Sequence, residues 1–179
     1  TLSALPLQFS LVVADTAGIT GAGPTTFSGL NSIQVNSGGV LHGDTRIQQT
    51  GGGLVSVSVN TGGQVNPGTS TGTLTVTGDT DFNAGSELVI EIAGENAGEF
   101  DVLTVDSALN IQSDAGNPTA LDVRFIDGYQ PDAFGAGFTV LNWGTLSGAF
   151  DQVNLPHLAF SHLQWNTDEL YMNGFISAV

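Results

Sequence analysis

The side chains able to do chemistry are few and mostly acidic: 17 carboxylates stand against Arg46 and Arg124, three histidines, and no lysine or cysteine. Glycoside cleavage needs two carboxyl groups about 5 to 9.5 Å apart. Glu87 and Glu91 share a strand face, but four residues of extended chain separate them by roughly 13 Å. Asp79 and Asp81 follow Gly78 and come to roughly 7 Å if extended. As hard oxygen ligands they could bind Ca²⁺ weakly, although a turn-like run of this kind reads more simply as a solvated turn. A lyase would need a basic residue near bound metal. Arg46 follows Asp44 by two residues and Arg124 follows Asp122 likewise, so an ion pair along each strand face is the simpler account. His42 lies beside Gly43, and His157 and His162 lie near Pro156. Without a third ligand at clear spacing they read as surface or packing residues. No Gly-x-Ser-x-Gly, Walker A, dinucleotide or EF-hand pattern occurs. We therefore assign no catalytic residue, no metal ligand and no cofactor beyond that weak Ca²⁺ binding.

The elements that would carry these residues announce themselves by repetition. Asn36-Ser37-Gly38-Gly39-Val40-Leu41, Asn60-Thr61-Gly62-Gly63-Gln64-Val65 and Asn83-Ala84-Gly85-Ser86-Glu87-Leu88 share the pattern Asn-x-Gly-x-x-(Leu/Val), preceded by Val35, Val59 and Phe82. The unit steps by 24 and then 23 residues. A fixed period in this range marks a solenoid, in which each coil buries its apolar face against the next. The unit is built from strand and turn residues, so the expectation is a β-solenoid with Asn36, Asn60 and Asn83 stacked in one corner ladder. A coil of ~24 residues has a contour near 80 Å, enough for about three short strands. Its inward rows are Ile33 and Val35; Leu54, Val55, Val57 and Val59; Leu74 and Val76; and Leu88, Ile90 and Ile92. The loop Ala93 to Glu99 interrupts the repeat before Phe100 to Val105 resumes a strand. From residue 109 the pattern loosens but stays β, with Leu163 to Trp165 followed by Leu170 to Met172, and it collects most of the aromatics. That half is expected to seal the end of the coils.

Composition narrows the setting. The chain of 179 residues is 40% hydrophobic but only 11% charged, with a formal net charge of -15. An acidic surface repels phosphate backbones and anionic headgroups, which argues against nucleic-acid and membrane-surface partners. No apolar run reaches the length of a membrane span. The start, Thr1-Leu2-Ser3-Ala4-Leu5, has neither an initiator methionine nor a basic segment, and the expectation is that a leader has been removed.

Several stretches resemble a known class. Val65-Asn66-Pro67-Gly68 through Gly72-Thr73-Leu74-Thr75-Val76, Gly85 to Ile92, Phe100 to Val105, and Trp165-Asn166-Thr167 through Leu170-Tyr171-Met172-Asn173-Gly174 look like exported bacterial proteins with autotransporter-passenger-like β-solenoids, often bearing sorting signals of the PEP-CTERM type. They are also similar in style to subunits of cyanobacterial tubular surface pili. The resemblance spans roughly residues 56 to 179 and implies a location outside the cell, at the cell surface, in a class that includes adhesins and surface-layer parts.

One further stripe bears on function. Leu5, Leu7, Phe9, Leu11 and Val13 alternate with Pro6, Gln8 and Ser10, as on a strand with one apolar face. It could fold back as a cap on its own domain, or complete the sheet of a neighbouring subunit by strand donation. Five such side chains offer ~7 to 15 kcal/mol gross before ordering costs. The stretch Asp15 to Ser28, with Gly18, Gly21, Gly23 and Pro24, reads as a linker. The expected protein is thus all-β, a right-handed β-solenoid (β-helix): an N-terminal strand and linker over 1–28, coils over 29–108, and a β-rich C-terminal cap over 109–179. Its expected role is that of a self-associating, non-enzymatic subunit of an extracellular filament or tubular pilus. A monomeric carbohydrate-binding adhesin that takes surface glycans is the second reading, and a polysaccharide-active enzyme the third.

Overall fold

The computed structural model describes residues 9–13, 16–18 and 25–179. In chain order the first strands are β1 (Phe9–Val13), β2 (Thr16–Gly18), β3 (Thr25–Phe27), β4 (Leu30–Val35), β5 (Val40–Gly43) and β6 (Thr45–Gln49). There follow β7 (Ser56–Val59), β8 (Gln64–Pro67), β9 (Thr73–Val76), β10 (Thr80–Phe82), β11 (Glu87–Ile92) and β12 (Val102–Ile111). The C-terminal part holds β13 (Ala120–Phe125), β14 (Ala136–Thr139), β15 (Leu141–Gly148), β16 (Gln152–Asn154), β17 (Trp165–Asn166), one helical turn α1 (Leu170–Asn173) and β18 (Phe175–Ala178).

The protein is all-β, and its strands are largely parallel. One sheet runs β1-β4-β7-β10-β12-β9-β6-β3 with β15 also paired to β12; a second runs β16-β13-β11-β8-β5-β2; every pairing in both is parallel. A small antiparallel sheet, β14-β18-β17, completes the set. The sequence period is the pairing register: Ile33 sits beside Val57 and Val57 beside Thr80, while Val40 sits beside Gln64 and Gln64 beside Glu87. Parallel strands put equivalent residues side by side, so each apolar row of one strand lands on that of the next.

Alternation decides what is buried. In β7, Val57 and Val59 point inward while Ser56 and Ser58 stay half-exposed. The resulting core is one continuous cluster from Val13 to Ala178, with Phe82 and Phe138 among its largest fully buried side chains. The C-terminal aromatics extend it: Phe138 meets Phe100 edge-on at 5.5 Å, and Phe125 stacks on Trp165 at 5.9 Å.

Four sequence expectations are corrected. Leu54 is not an inward residue but 60% exposed, because Val55, Val57 and Val59 take the core parity. The stretch read as linker contributes β2, paired with β5, and β3, paired with β6. The strand expected over Phe100 to Val105 continues to Ile111, its second half pairing with β10. Leu170 to Met172 belongs to α1, which closes on Gly174 in the left-handed region, its N–H donating to the Leu170 carbonyl.

Candidate functional site

At the Asn-x-Gly corner the three asparagines form a hydrogen-bonded file. Asn60 Nδ2 donates to Asn36 Oδ1 at 2.8 Å, and Asn83 Nδ2 donates to Asn60 Oδ1 at 2.9 Å. The Asn36, Asn60 and Asn83 backbone N–H groups donate to Val13, Val35 and Val59 respectively, so each corner leans on the strand before it. The glycine after the turn is demanded by this closeness: a Cβ on Gly63 would lie 2.4 Å from the Val35 carbonyl oxygen. Alongside runs a groove of ≈ 360 Å³ whose lining includes Gly38, Gly62, Gly85, Gln64 and Glu87. Gln64 Nε2 donates to Glu87 Oε2 at 2.6 Å.

The candidate acids are absorbed in the same way, by the neighbouring strand. Asp79 accepts from the Ser107 hydroxyl and the Ala108 N–H, and Asp81 accepts from Asn110 Nδ2 at 2.8 Å. The Ser107 hydroxyl, then the Ala108 N–H, lowers the Asp79 carboxyl below its usual range. Arg124 Nε donates to Asp122 at 2.7 Å, the pairing expected along its strand. Arg46 departs from expectation: its guanidinium pairs with Asp106 of β12, and Asp44 instead accepts the Thr73 N–H at 2.9 Å. The partner two residues away loses to one brought close by the fold. Among the described residues no group of three or more His, Cys, Asp or Glu side chains could hold a metal ion. His157 is exposed, and His162 lies between Phe134 and Phe160 at ring distances of 5.3 and 5.8 Å.

Sequence reasoning missed Asp101. It is fully buried, its two carboxyl oxygens accepting the Gly72 and Glu91 N–H groups, each at 2.8 Å. Burial pushes its carboxyl up to about 8 against those two donors, aided by the charges of Glu91 and Asp44. The signal was present: Asp101 has the parity of Leu103 and Val105, both core residues.

The apolar N-terminal stripe meets the first sheet at its margin. Leu5 and Leu7 lie outside the described residues; Phe9 pairs with Leu30, Leu11 with Ile33 and Val13 with Val35. Val13 is buried, whereas Leu11 is 40% and Val12 53% exposed. Among the described residues β1 pairs with β4 alone, β2 with β5 alone and β3 with β6 alone. At the opposite margin, again among the described residues, β15 is paired only with β12 and β16 only with β13. Such edges present unpaired backbone groups and are templates for further strands. Comparison with known proteins adds no label: no family model and no curated protein sequence matches the chain.

Proposed function

We propose that the parallel sheets are successive coils of a right-handed β-solenoid, and that the chain is a non-enzymatic structural subunit of an extracellular filament or pilus-like tube. Copies join by β-augmentation, the N-terminal strand completing the sheet of a neighbour. A contact of this heterologous kind does not close on itself and so propagates. The observation that carries the reading is the marginal position of β1, held on one side only among the described residues, with Leu11 and Val12 left exposed. The non-enzymatic part is supported by the use made of Asp79, Asp81 and Glu87, each accepting a hydrogen bond from an adjacent strand or the segment leading to it.

Deleting residues 1 to 13 tests it. The intact protein should form fibres visible by electron microscopy, and the truncated protein should remain monomeric by light scattering with an unchanged β-type circular dichroism spectrum. Assembly of the truncated protein as efficient as that of the intact one would sink the strand-joint reading. The adhesin reading draws on one observation, the exposed rings of Phe134 (68%) and Phe160 (42%) flanking His162. Retardation of a monomeric protein in a gel containing a neutral polysaccharide, lost on joint Phe134→Ala and Phe160→Ala substitution, would favour it instead.

A further inference from the structure

We infer that the acceptor for the N-terminal strand is the far end of the same fold: Thr145–Gly148 of β15 and Gln152–Asn154 of β16 in a second copy receive β1 and β2, head to tail. This rests on the assembly reading above and names its joint. Cα register places Leu11 beside Ile33, Ile33 beside Val57, Val57 beside Thr80, Thr80 beside Leu109 and Leu109 beside Leu146. One row therefore begins at β1 and ends at the second half of β15. Likewise Ala17, Leu41, Val65, Leu88, Leu121 and Val153 form a single row from β2 to β16. Because every step is parallel, the two ends of the molecule are complementary by construction. A second copy translated along the rows sets Leu11 against Leu146 and Ala17 against Val153 with no reversal of strand direction.

Three further features agree. Leu146 and Val153 lie on the inward-facing rows yet are only half-buried, as expected of a final layer with nothing stacked beyond it. The described residues before Asp44 carry no carboxylate, arginine or lysine, and His42 is their one titratable side chain, in a chain of net charge -15. Meeting that neutral end costs the acidic end little, whereas a tail-to-tail contact would set Asp151 and its neighbours against their own copies. The third ladder, by contrast, is closed: the Leu141 N–H at the start of β15 donates to the Gly174 carbonyl after α1 at 3.3 Å. The joint is thus two ladders wide, which fixes the rotational setting of one copy on the next.

The chain has no cysteine, so cross-linking can be site-specific. Val12 and Ser147 end the row that alternates with the core rows and runs through Gln34, Ser58, Asp81 and Asn110. Across the joint they become neighbours at one strand spacing, about 5 Å, but within one chain they stand five spacings, roughly 24 Å, apart. Val12→Cys and Ser147→Cys proteins, both at exposed positions, are mixed, assembled and treated with a short bismaleimide. The expected result is a covalent dimer from the mixture and none from either protein alone. Fibres that yield no mixed dimer would overturn this joint and leave the assembly reading standing. A dimer from Val12→Cys alone would overturn it in favour of head-to-head packing, and a protein that never assembles would overturn both. Leu146→Asp offers a second readout: a folded monomer by circular dichroism with loss of fibres is expected, and undiminished fibres would count against the joint.

Discussion

Removing Asn60 tests whether the corner file acts as a connected ladder or as three independent turns. Asn60 is the middle member, donating to Asn36 and accepting from Asn83, at 2.8 and 2.9 Å. Asn60→Ala breaks both bonds and leaves the half-buried Asn36 Oδ1 and Asn83 Nδ2 without the partners they had. A neutral hydrogen bond contributes about 1 kcal/mol net, and an abandoned half-buried group adds to its loss. The expected cost is about 2 to 3 kcal/mol. Asn36→Ala and Asn83→Ala each break one of the two bonds and should cost about half as much. The backbone bonds of the corner, from Asn60 N–H to Val35 and from Gly63 N–H to Asn60, survive all three substitutions, so the comparison isolates the side chains. Urea unfolding followed by circular dichroism reads the effect; with a slope of about 2 kcal/mol/M the midpoint should fall by roughly 1 to 1.5 M for Asn60→Ala and roughly 0.5 M for the end members. Asn60→Asp sharpens the test, because a carboxylate can still accept from Asn83 but faces the Asn36 oxygen with no donor. If Asn60→Ala costs no more than either end substitution, the asparagines are separate turn residues and the ladder argument fails.

Four other outcomes follow from the surroundings of named residues. Asp101 has a raised carboxyl pKa, so between the unfolded value of 3.8 and about 8 the folded state holds a proton the unfolded chain has lost; its contribution to stability is fully present below 3.8 and declines as pH rises toward 8, by up to about 1.4 kcal/mol per unit. Urea midpoints measured from pH 5 to 8 should fall for the native protein and flatten for Asp101→Asn, and parallel profiles would refute this. Thr80 is buried and its hydroxyl has no hydrogen-bond partner among the described residues, so Thr80→Val should stabilise by about 1 kcal/mol, read as a rise in denaturation midpoint; a fall would show that the hydroxyl has a partner. Gly63→Ala drives a methyl onto the Val35 carbonyl and should cost about 1 to 3 kcal/mol, whereas Leu54→Ser, at an exposed site, should stay within about 0.5 kcal/mol.

Much of the fold was legible where alternation and period coincide. Val57 and Val59, Leu74 and Val76, and Leu88, Ile90 and Ile92 are core residues at the positions the repeat dictates, and the asparagine spacing equals the strand register. What escaped depends on partners distant in sequence. Leu54 is the exception, misplaced for a local reason: it falls outside the alternation of Val55, Val57 and Val59, whose parity is that of the core. Arg46 reaches an acid 60 residues away, and nothing near it in the chain points there. The strands β2 and β3 consist of three residues each, too short to show a period, and are strands because β5 and β6 offer edges to pair with. The margins at β15 and β16, where the proposed joint lies, become visible only once the ladders are followed from end to end.

The course of β12 has a mechanical consequence. Its first half pairs with β9 and its second with β10, and between them, around Asp106 and Ser107, its pairing with β15 slips register. Asp106 is gripped by Arg46 and Ser107 by Asp79, while a side chain at Gly144 would strike the carbonyl oxygens of both. One strand thus spans two ladders as an uninterrupted covalent tie, clamped from both sides at its register shift. Load applied to either ladder is shared with the other through main-chain bonds. A shearing or twisting force must therefore bend β12 at its clamp before one ladder can slide past the other.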